Sequence, residues 1–254
     1  MSKRPDPRKL ARRQFAQQAA TLERPGYLFT DESILTWIEG HTPLRHDDRI
    51  LDVAGGDGAL GRHLVRAAAW CVVLDLVPAM LAAGAAAGRR DVLFVEGDAA
   101  RMPFVDAQFD LVVMGFAVHR LDDPEAAFRE MARVGVRGAR VVVTDMVDGG
   151  FQHNRLERLR DPSHTTALNR GTLLDLLTDA GFEAAVVSER VHTIDAVRWL
   201  GHAHGDREAV AAALRDEAEG GPPTGLYARY VDGELQISQN WVLIAGSQVE
   251  NAWG

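Results

Sequence analysis

Four aspartates stand at or near the ends of predicted strands in the first half of the chain. Asp52 and Asp57 flank the first glycines of the stretch ILDVAGGDGALG, residues 50–61. Asp75 lies at the end of the apolar run WCVVLDL, and Asp98 ends the run VLFVEGD. Each of these acids could be a helix cap or a turn former, but three of them follow buried strands. The pattern predicts one acidic edge that accepts hydrogen bonds or holds positive charge.

The glycine loop leaves two kinds of ligand open. Its G-x-G-x-x-G pattern starts at Gly56, and Asp75 follows at the distance where dinucleotide folds place the acid that binds a ribose hydroxyl. A pyrophosphate would be opposed by Asp52 and Asp57, because two like charges about 4 Å apart repel by roughly 4 kcal/mol at an effective dielectric near 20. S-adenosylmethionine carries an ammonium and a sulfonium, so it suits acids better. The charges therefore favour the sulfonium compound.

Two histidines are candidates for acid–base chemistry. His119 lies in the loop after the fourth predicted strand and could act as a general base, or simply bond the backbone. His164, in RDPSH with Arg160 nearby, is the second candidate, and its alternative role is in a capping cluster. Arg160, Trp199 and Tyr227 are candidate substrate residues. Trp199 and Tyr227 could line an apolar acceptor pocket or pack in the ordinary way.

No metal site is predicted. His192, His202 and His204 have no cysteine or suitably spaced carboxylate as partner, and on a helix two residues that are two positions apart point in different directions. The single cysteine, Cys71, lies in an apolar stretch and reads as a small core residue.

Strands and helices must alternate to position these groups. Buried strands are predicted at 49–54, 70–76, 92–98, 109–116 and 140–147, with helices between them, and Asp123-Pro124 is a good helix start. This alternation is typical of a parallel sheet with crossover helices on both faces. Later segments differ: a helix at 171–182, strands at 184–191 and 234–246, and a helical insertion between these strands.

Composition narrows the function classes. The chain has 254 residues, 46% of them hydrophobic, and a net charge of −8, which argues against broad nucleic-acid binding. The basic N-terminal run MSKRPDPRKLARR reads as a solvated arm. Neither a secretory leader nor an apolar run of membrane-spanning length is visible, so we expect a cytoplasmic protein, monomeric or homodimeric.

Four stretches occur in an order and spacing that point to a known family. They are LDVAGGDG, VVLDLVPAML, VEGDAARMPFVDAQFDLVVMGFAVHRLDDPEAAFREMARV and RLRDPSHTTALNRGTLLDLLTDAGF. From about Gln14 to Gly246 the chain resembles class I S-adenosylmethionine-dependent methyltransferases, in the group of the ubiquinone and menaquinone methyltransferases. The resemblance implies transfer of a methyl group to an aromatic, quinone-like or polyketide-like small molecule, in biosynthesis or secondary metabolism, with S-adenosylhomocysteine as product.

The resemblance also implies a fold and a site. The fold is an α/β, Rossmann-like three-layer sandwich with a seven-stranded, mostly parallel sheet, an antiparallel last strand and a helical insertion over the active edge. We expect an N-terminal helical segment over the cofactor site (1–40), a cofactor-binding core (41–191), the helical insertion on the substrate side (192–233), and a final strand and tail (234–254). The implied cofactor-binding residues are Asp52, Ala54, Gly56 and Gly58 at the methionine end, Asp75 and Leu76 at the ribose, Asp98 and Ala99 at the adenine, and Gly115 and Phe116 after the fourth strand.

The chain departs from the family pattern in three places. Ala54 stands where many members have glycine, which we expect to be harmless if its φ is negative. The stretch RVGVRGARV lacks a proline and a glycine that most members have, and Arg120 replaces a second histidine.

Three alternative functions stay open. They are a non-methylating enzyme, such as a cyclase or decarboxylase, that binds the same cofactor; an NAD-dependent oxidoreductase; and a non-catalytic binding protein.

Overall fold

The computed structural model describes residues 9, 12–13, 15–16, 31–201 and 203–249. Most of the expected N-terminal segment, and His202, lie outside the described residues. None of the described helices combines the length and the apolar character needed to cross a membrane.

One sheet contains all the strands of the described part. They are β1 (Arg49–Val53), β2 (Trp70–Asp75), β3 (Val92–Glu96), β4 (Phe109–Gly115), β5 (Gly135–Met146), β6 (Phe182–Asp195), β7 (Arg229–Val231) and β8 (Glu234–Gln248). The main path runs β3-β2-β1-β4-β5-β8-β6, and the short β7 pairs with β8. The first five strands are parallel, whereas β8 is antiparallel to both β5 and β6. The expected fold class is confirmed, with β7 as an additional strand.

Helices cover the two faces and the carboxyl edge of the sheet. They are α1 (Glu32–Gly40), α2 (Ala59–Leu64), α3 (Pro78–Ala86), α4 (Pro124–Val134), α5 (Phe151–Arg160), α6 (Arg170–Asp179), α7 (Ala196–Gly201) and α8 (Arg207–Ala218). Local chemistry fixes their starts. The Asp123 side chain accepts a hydrogen bond from the Ala126 N–H at the start of α4, and Pro124 occupies the first helical position, as predicted.

Hydrophobic burial divides the core into three clusters. One lies on the sheet face under α4 and α6 and includes Phe128 and Leu173. A second lies on the other face, under α1 and α2, and includes Ile38 and Leu64. A third joins α5, α7 and α8 around Leu214, and we call these three helices, with residues 224–228, the helical cap. Because α5 follows β5 and α7 follows β6, the cap lies at the carboxyl edge of the sheet, where open α/β folds bind their ligands.

Several boundaries differ from the sequence prediction. The strand expected at 184–191 spans 182–195, because its pairing with β8 continues to Asp195 opposite Gln236. The segment between β6 and β8 therefore begins at residue 196 and not at 192. β5 starts at Gly135 instead of residue 140, with an irregular register against β4 where RVGVRGARV departs from the family pattern.

Candidate functional site

A cavity opens at the carboxyl ends of β1, β2 and β4. The predicted cofactor residues that line it are Asp52, Ala54, Gly56, Asp75, Leu76, Asp98, Ala99, Gly115 and Phe116. Gly58 is not among the lining residues. It caps α2 with a φ of 77°, and a Cβ there would lie 2.8 Å from Val73 Cγ2, so its part is to pack the loop on the sheet.

Asp75 organises the glycine loop from the end of β2. Its Oδ2 accepts a hydrogen bond from the Gly56 N–H at 2.8 Å, and its Oδ1 accepts one from the Val77 N–H at 2.8 Å. Burial raises the pKa of this carboxyl, although the backbone donors partly offset the effect. Asp75 therefore holds the loop in shape and also presents carboxylate oxygens at the cavity wall.

Asp52 presents a buried oxygen that has no partner among the described residues. Its Oδ2 accepts a hydrogen bond from the Gly61 N–H at 2.9 Å, while Oδ1 is buried and unpartnered. Burial raises the pKa of Asp52 to about 7. Gly55 packs tightly on this group, since a Cβ there would lie 2.5 Å from Asp52 Cγ. A cation that reached Oδ1 would supply the missing interaction.

Asp57 plays a different part from the one its sequence position suggested. Its Oδ2 accepts a hydrogen bond from Arg62 Nη2 at 3.0 Å, and the same guanidinium also bonds its carbonyl oxygen. The charge of Asp57 is therefore offset within the loop. The sequence analysis does not predict the pairing of Arg62 with Asp57, although an arginine five residues after the acid, in the first turns of the helix, indicates it.

Asp98 and Ala99 lie at the far end of the cavity. Asp98 Oδ1 accepts a hydrogen bond from the Ala100 N–H at 2.9 Å, which shapes the turn after β3. Both residues line the cavity, next to Gly97 and close to Leu76.

Two residues without glycine's freedom adopt left-handed backbone conformations at the cavity. Ala54 has a φ of 53°, so the condition under which we expect this alanine to be harmless is not met. Phe116 has a φ of 61°. This conformation costs an L-residue roughly 1–2 kcal/mol, and such strain concentrates at ligand sites. At Ala54 the reason lies in the loop, which turns sharply after β1 so that the Gly55 N–H can bond the Leu74 carbonyl.

The residues of this cavity fit S-adenosylmethionine better than a dinucleotide. The Asp52 Oδ1 atom is a buried acceptor that an ammonium group would satisfy, whereas a phosphate would be repelled. Asp75 and Asp98 add two further carboxyl groups to the lining of the same cavity. Arg62, the basic side chain at the loop, is already paired with Asp57.

His119 forms a buried pair with Asp145 beside the cavity. The two side chains are 2% exposed, and His119 Nδ1 lies 2.6 Å from Asp145 Oδ1. Asp145 also accepts hydrogen bonds from the His119 and Met146 N–H groups. Burial raises the pKa of Asp145, but His119 lowers it more, so the net pKa falls below its usual value. Asp145 therefore fixes a proton on His119 Nδ1, while Nε2, on the other side of the ring, is buried and has no described partner.

His164 is placed beside His119 but in a different role. The ring centroids are 5.4 Å apart, and His164 Nε2 lies 2.8 Å from Asn154 Oδ1. Burial and the neighbouring His119 lower the pKa of His164 to about 3. His164 is therefore neutral at pH 7. Neither histidine lines the cavity directly. Ala117 and Arg120, which lie close to His119 in the sequence, do line it.

The three candidate substrate residues, Arg160, Trp199 and Tyr227, are not among the residues that line the cavity. Arg160 donates two hydrogen bonds to Glu157 Oε2 and stacks on Trp199, with 4.5 Å from its Cζ to the ring centroid. Trp199 is buried in the helical cap, and Tyr227 is 54% exposed. Arg160 and Trp199 thus stabilise the cap.

Arg120 and Phe15 line the cavity without having been predicted to do so. The Arg120 Cζ atom lies 4.9 Å from the Phe15 ring centroid, and its guanidinium donates to the Phe116 carbonyl and to Asp161. Asp161 is otherwise held by Ser163. Arg120 thereby links an N-terminal helical residue to the β4 end and to the loop after α5. Within the expected segment 1–40, Phe15 is the described residue that reaches the cavity.

Comparison with known proteins agrees with this geometry. Residues 51–143 match the family model described as a methyltransferase domain. A demethylmenaquinone methyltransferase from Mycolicibacterium vanbaalenii is 45% identical over 102 residues, which are 40% of this chain and 43% of that protein. The chain therefore spans about two fifths of the length of the curated relatives it matches.

Solved structures share the fold. A putative methyltransferase from Bacillus halodurans superposes with a TM-score of 0.77 at 25% identity, covering 86% of this chain and 100% of the other. A geranyl diphosphate C-methyltransferase from Streptomyces coelicolor, in complex with Mg²⁺, geranyl diphosphate and S-adenosylhomocysteine, superposes with a TM-score of 0.65 at 14% identity, covering 98% and 100%. The second likeness concerns the fold alone.

Proposed function

We propose that this protein transfers a methyl group from S-adenosylmethionine to a small aromatic, quinone-like acceptor, on the premise that residues 51–143 match a methyltransferase domain and resemble the demethylmenaquinone methyltransferases. The observation that carries the proposal is the unpartnered, buried Asp52 Oδ1 at the wall of the cavity. It is an acceptor in a place where only a donor or a cation removes the cost of its burial.

The acceptor class rests on the relatives and on the charge of the chain. The demethylmenaquinone methyltransferases act, by their name, on a quinone. A net charge of −8 disfavours a nucleic acid as acceptor. The apolar side chains at the cavity wall, among them Leu60, Met80 and Phe116, suit an uncharged aromatic ring.

When bound, the cofactor supplies an electrophilic methyl group on a sulfonium. In the transfer, a carbon or oxygen of the acceptor forms the new bond to the methyl carbon, the sulfur–methyl bond breaks, and its electron pair stays on sulfur in neutral S-adenosylhomocysteine. The acceptor loses one proton. The cavity contributes by holding the two reactants in line, which can lower the barrier by several kcal/mol.

We propose His119 as the base that takes this proton. Asp145 fixes its tautomer and would stabilise the protonated ring, which is how a carboxylate–histidine pair supports catalysis in general. His164 suits the task less, because its pKa of about 3 makes it a weak base. Because the Nε2 of His119 is buried, an acceptor reaches it only after a local movement of the side chains around it.

The direct test is a product analysis. The protein is incubated with S-adenosylmethionine and reduced 1,4-naphthoquinone, and S-adenosylhomocysteine and methylated naphthoquinol are measured by mass spectrometry. Both should form in equal amounts, and the Asp75→Ala variant should form less of both at a cofactor concentration near the wild-type Kd. Consumption of cofactor without a methylated product, or a rearranged acceptor of unchanged mass, would refute the proposal and favour a non-methylating enzyme.

A further inference from the structure

Two buried polar atoms lie behind the cavity wall without hydrogen-bond partners in the described structure. They are the indole Nε1 of Trp241 and the Oγ1 of Thr144. Trp241 is 3% exposed and Thr144 is 1% exposed. Leaving a buried donor unpaired costs free energy, so an unpaired indole N–H calls for an explanation.

Both residues lie on one sheet face near the carboxyl edge. Trp241 on β8 is paired with Met146, the last residue of β5. Thr144 precedes Met146 by two positions, so its side chain points to the same face. Asp145 points to the opposite face, so the His119–Asp145 pair and Trp241 flank the end of β5 from its two sides.

The surroundings of Trp241 are apolar. The core cluster that contains it also includes Ile34 and Leu35 of α1, Met146 and Ala167. Nothing in this cluster accepts a hydrogen bond from the indole. If position 241 had only a packing role, phenylalanine would fill it equally well and would leave no hydrogen-bond donor unpaired.

Phe116 lines the cofactor cavity and packs against Trp241. Its ring meets the Trp241 ring edge to face, with centroids 5.0 Å apart, and its N–H donates to the Thr144 carbonyl. The same side chain lines the cavity, and its backbone has a φ of 61°. Residues held in this sparsely populated conformation are typical of places where a ligand changes the local structure.

We propose that the acceptor binds between the cofactor cavity and Trp241 when the Phe116 side chain turns aside, and that the indole N–H of Trp241 donates a hydrogen bond to a carbonyl or phenolic oxygen of the acceptor ring. The Thr144 hydroxyl offers a second polar contact on the same wall. The ligand class is therefore a flat aromatic compound that carries at least one oxygen on the ring. This inference rests on the proposed function, because it assigns the acceptor site of that reaction.

The test measures binding, not turnover. The probe is 1-naphthol, added to the protein saturated with S-adenosylhomocysteine. The indole ¹⁵N–¹H signal of Trp241, assigned by its loss in the Trp241→Phe variant, should shift downfield as naphthol binds. By calorimetry, Trp241→Phe should bind naphthol on the order of tenfold more weakly, the loss expected for one hydrogen bond.

Matched controls separate a binding role from a packing role. Trp70→Phe makes the same change at the other end of the sheet, where Trp70 packs on Phe109, and it should leave naphthol affinity unchanged. Thr144→Val keeps the shape of the side chain and removes the second unpaired polar atom. The midpoint temperature of thermal unfolding of this variant should therefore not fall below that of the wild type. If Trp241→Phe does not fold, the Trp241 indole signal is assigned by through-bond NMR experiments on the wild type, and its shift there decides.

The outcomes distinguish this inference from the proposed function. Naphthol that does not bind, or that binds without moving the Trp241 signal, or that binds Trp241→Phe as tightly as the wild type, overturns the inference. Failure of S-adenosylhomocysteine to bind contradicts the proposed function as well, and that result is visible before naphthol is added.

Discussion

Asp52 should make cofactor affinity depend on pH. In the free protein its carboxyl is fully buried and has a pKa of about 7, so it is largely protonated at pH 5. An ammonium group at Oδ1 would favour the charged form and lower this pKa, so binding below pH 7 must release a proton. Affinity should therefore rise with pH up to about 7 and be constant above it.

The magnitude follows from the pKa. One pH unit corresponds to about 1.36 kcal/mol, so two units below the pKa weaken binding by roughly 2.7 kcal/mol, which is about a hundredfold. In Asp52→Asn the neutral amide keeps an oxygen for the Gly61 N–H but holds no charge. The variant should bind at pH 8 about as weakly as the wild type binds at pH 5, and its affinity should not change with pH.

Calorimetric titration with S-adenosylhomocysteine between pH 5 and pH 8 measures both effects. The dependence of the binding enthalpy on the ionisation enthalpy of the buffer gives the number of protons released. Unfolding free energy provides the control. Because the folded pKa of Asp52 lies above the usual 3.8, its charge destabilises the free protein as the pH rises through 7, so Asp52→Asn should be up to roughly 4 kcal/mol more stable at pH 8. A wild-type affinity that is flat from pH 5 to pH 8 would refute the assignment of Asp52 to the ammonium.

Three further predictions concern single side chains. Asp75→Ala should weaken S-adenosylmethionine binding by roughly 1.5–3 kcal/mol, the loss of a charged hydrogen bond, and unchanged calorimetric affinity would rule out its contact with the ribose. Ala54→Gly should raise the free energy of unfolding in a denaturant titration by up to roughly 1 kcal/mol, because glycine tolerates the φ of 53°; a decrease would show that the backbone there is not strained. His119→Ala should lower turnover roughly 10²–10⁴-fold with nearly unchanged cofactor affinity, and Asp145→Asn should shift the pH profile of turnover; if both variants turn over normally, His119 is not the base.

The sequence predicts well which residues line the cavity, for a physical reason. Asp52 and Asp75 follow apolar runs long enough to be buried strands, and the ends of parallel strands meet at one edge of a sheet. Their convergence therefore depends on local patterns alone. The same holds for the start of α4, where Asp123 and Pro124 carry the capping signal.

Contacts between distant segments could not be read in this way. His119 and Asp145 are 26 positions apart in the sequence. They meet because of the register with which β4 pairs with β5, and a local pattern does not reveal that register. Trp241 meets Phe116 only because β8 inserts between β5 and β6. The burial of Arg160 against Trp199 depends on how the helical cap packs, so the sequence suggested a substrate contact where the structure has a stacked ion pair.

The central claim is that this cavity selects a cationic adenosyl compound over a diphosphate. The most direct measurement is a pair of calorimetric titrations at pH 8, one with S-adenosylmethionine and one with NAD. We predict saturable binding of S-adenosylmethionine, and NAD binding weaker by at least roughly a hundredfold, from the repulsion of phosphate by the acidic edge. Equal or tighter binding of NAD would contradict the account.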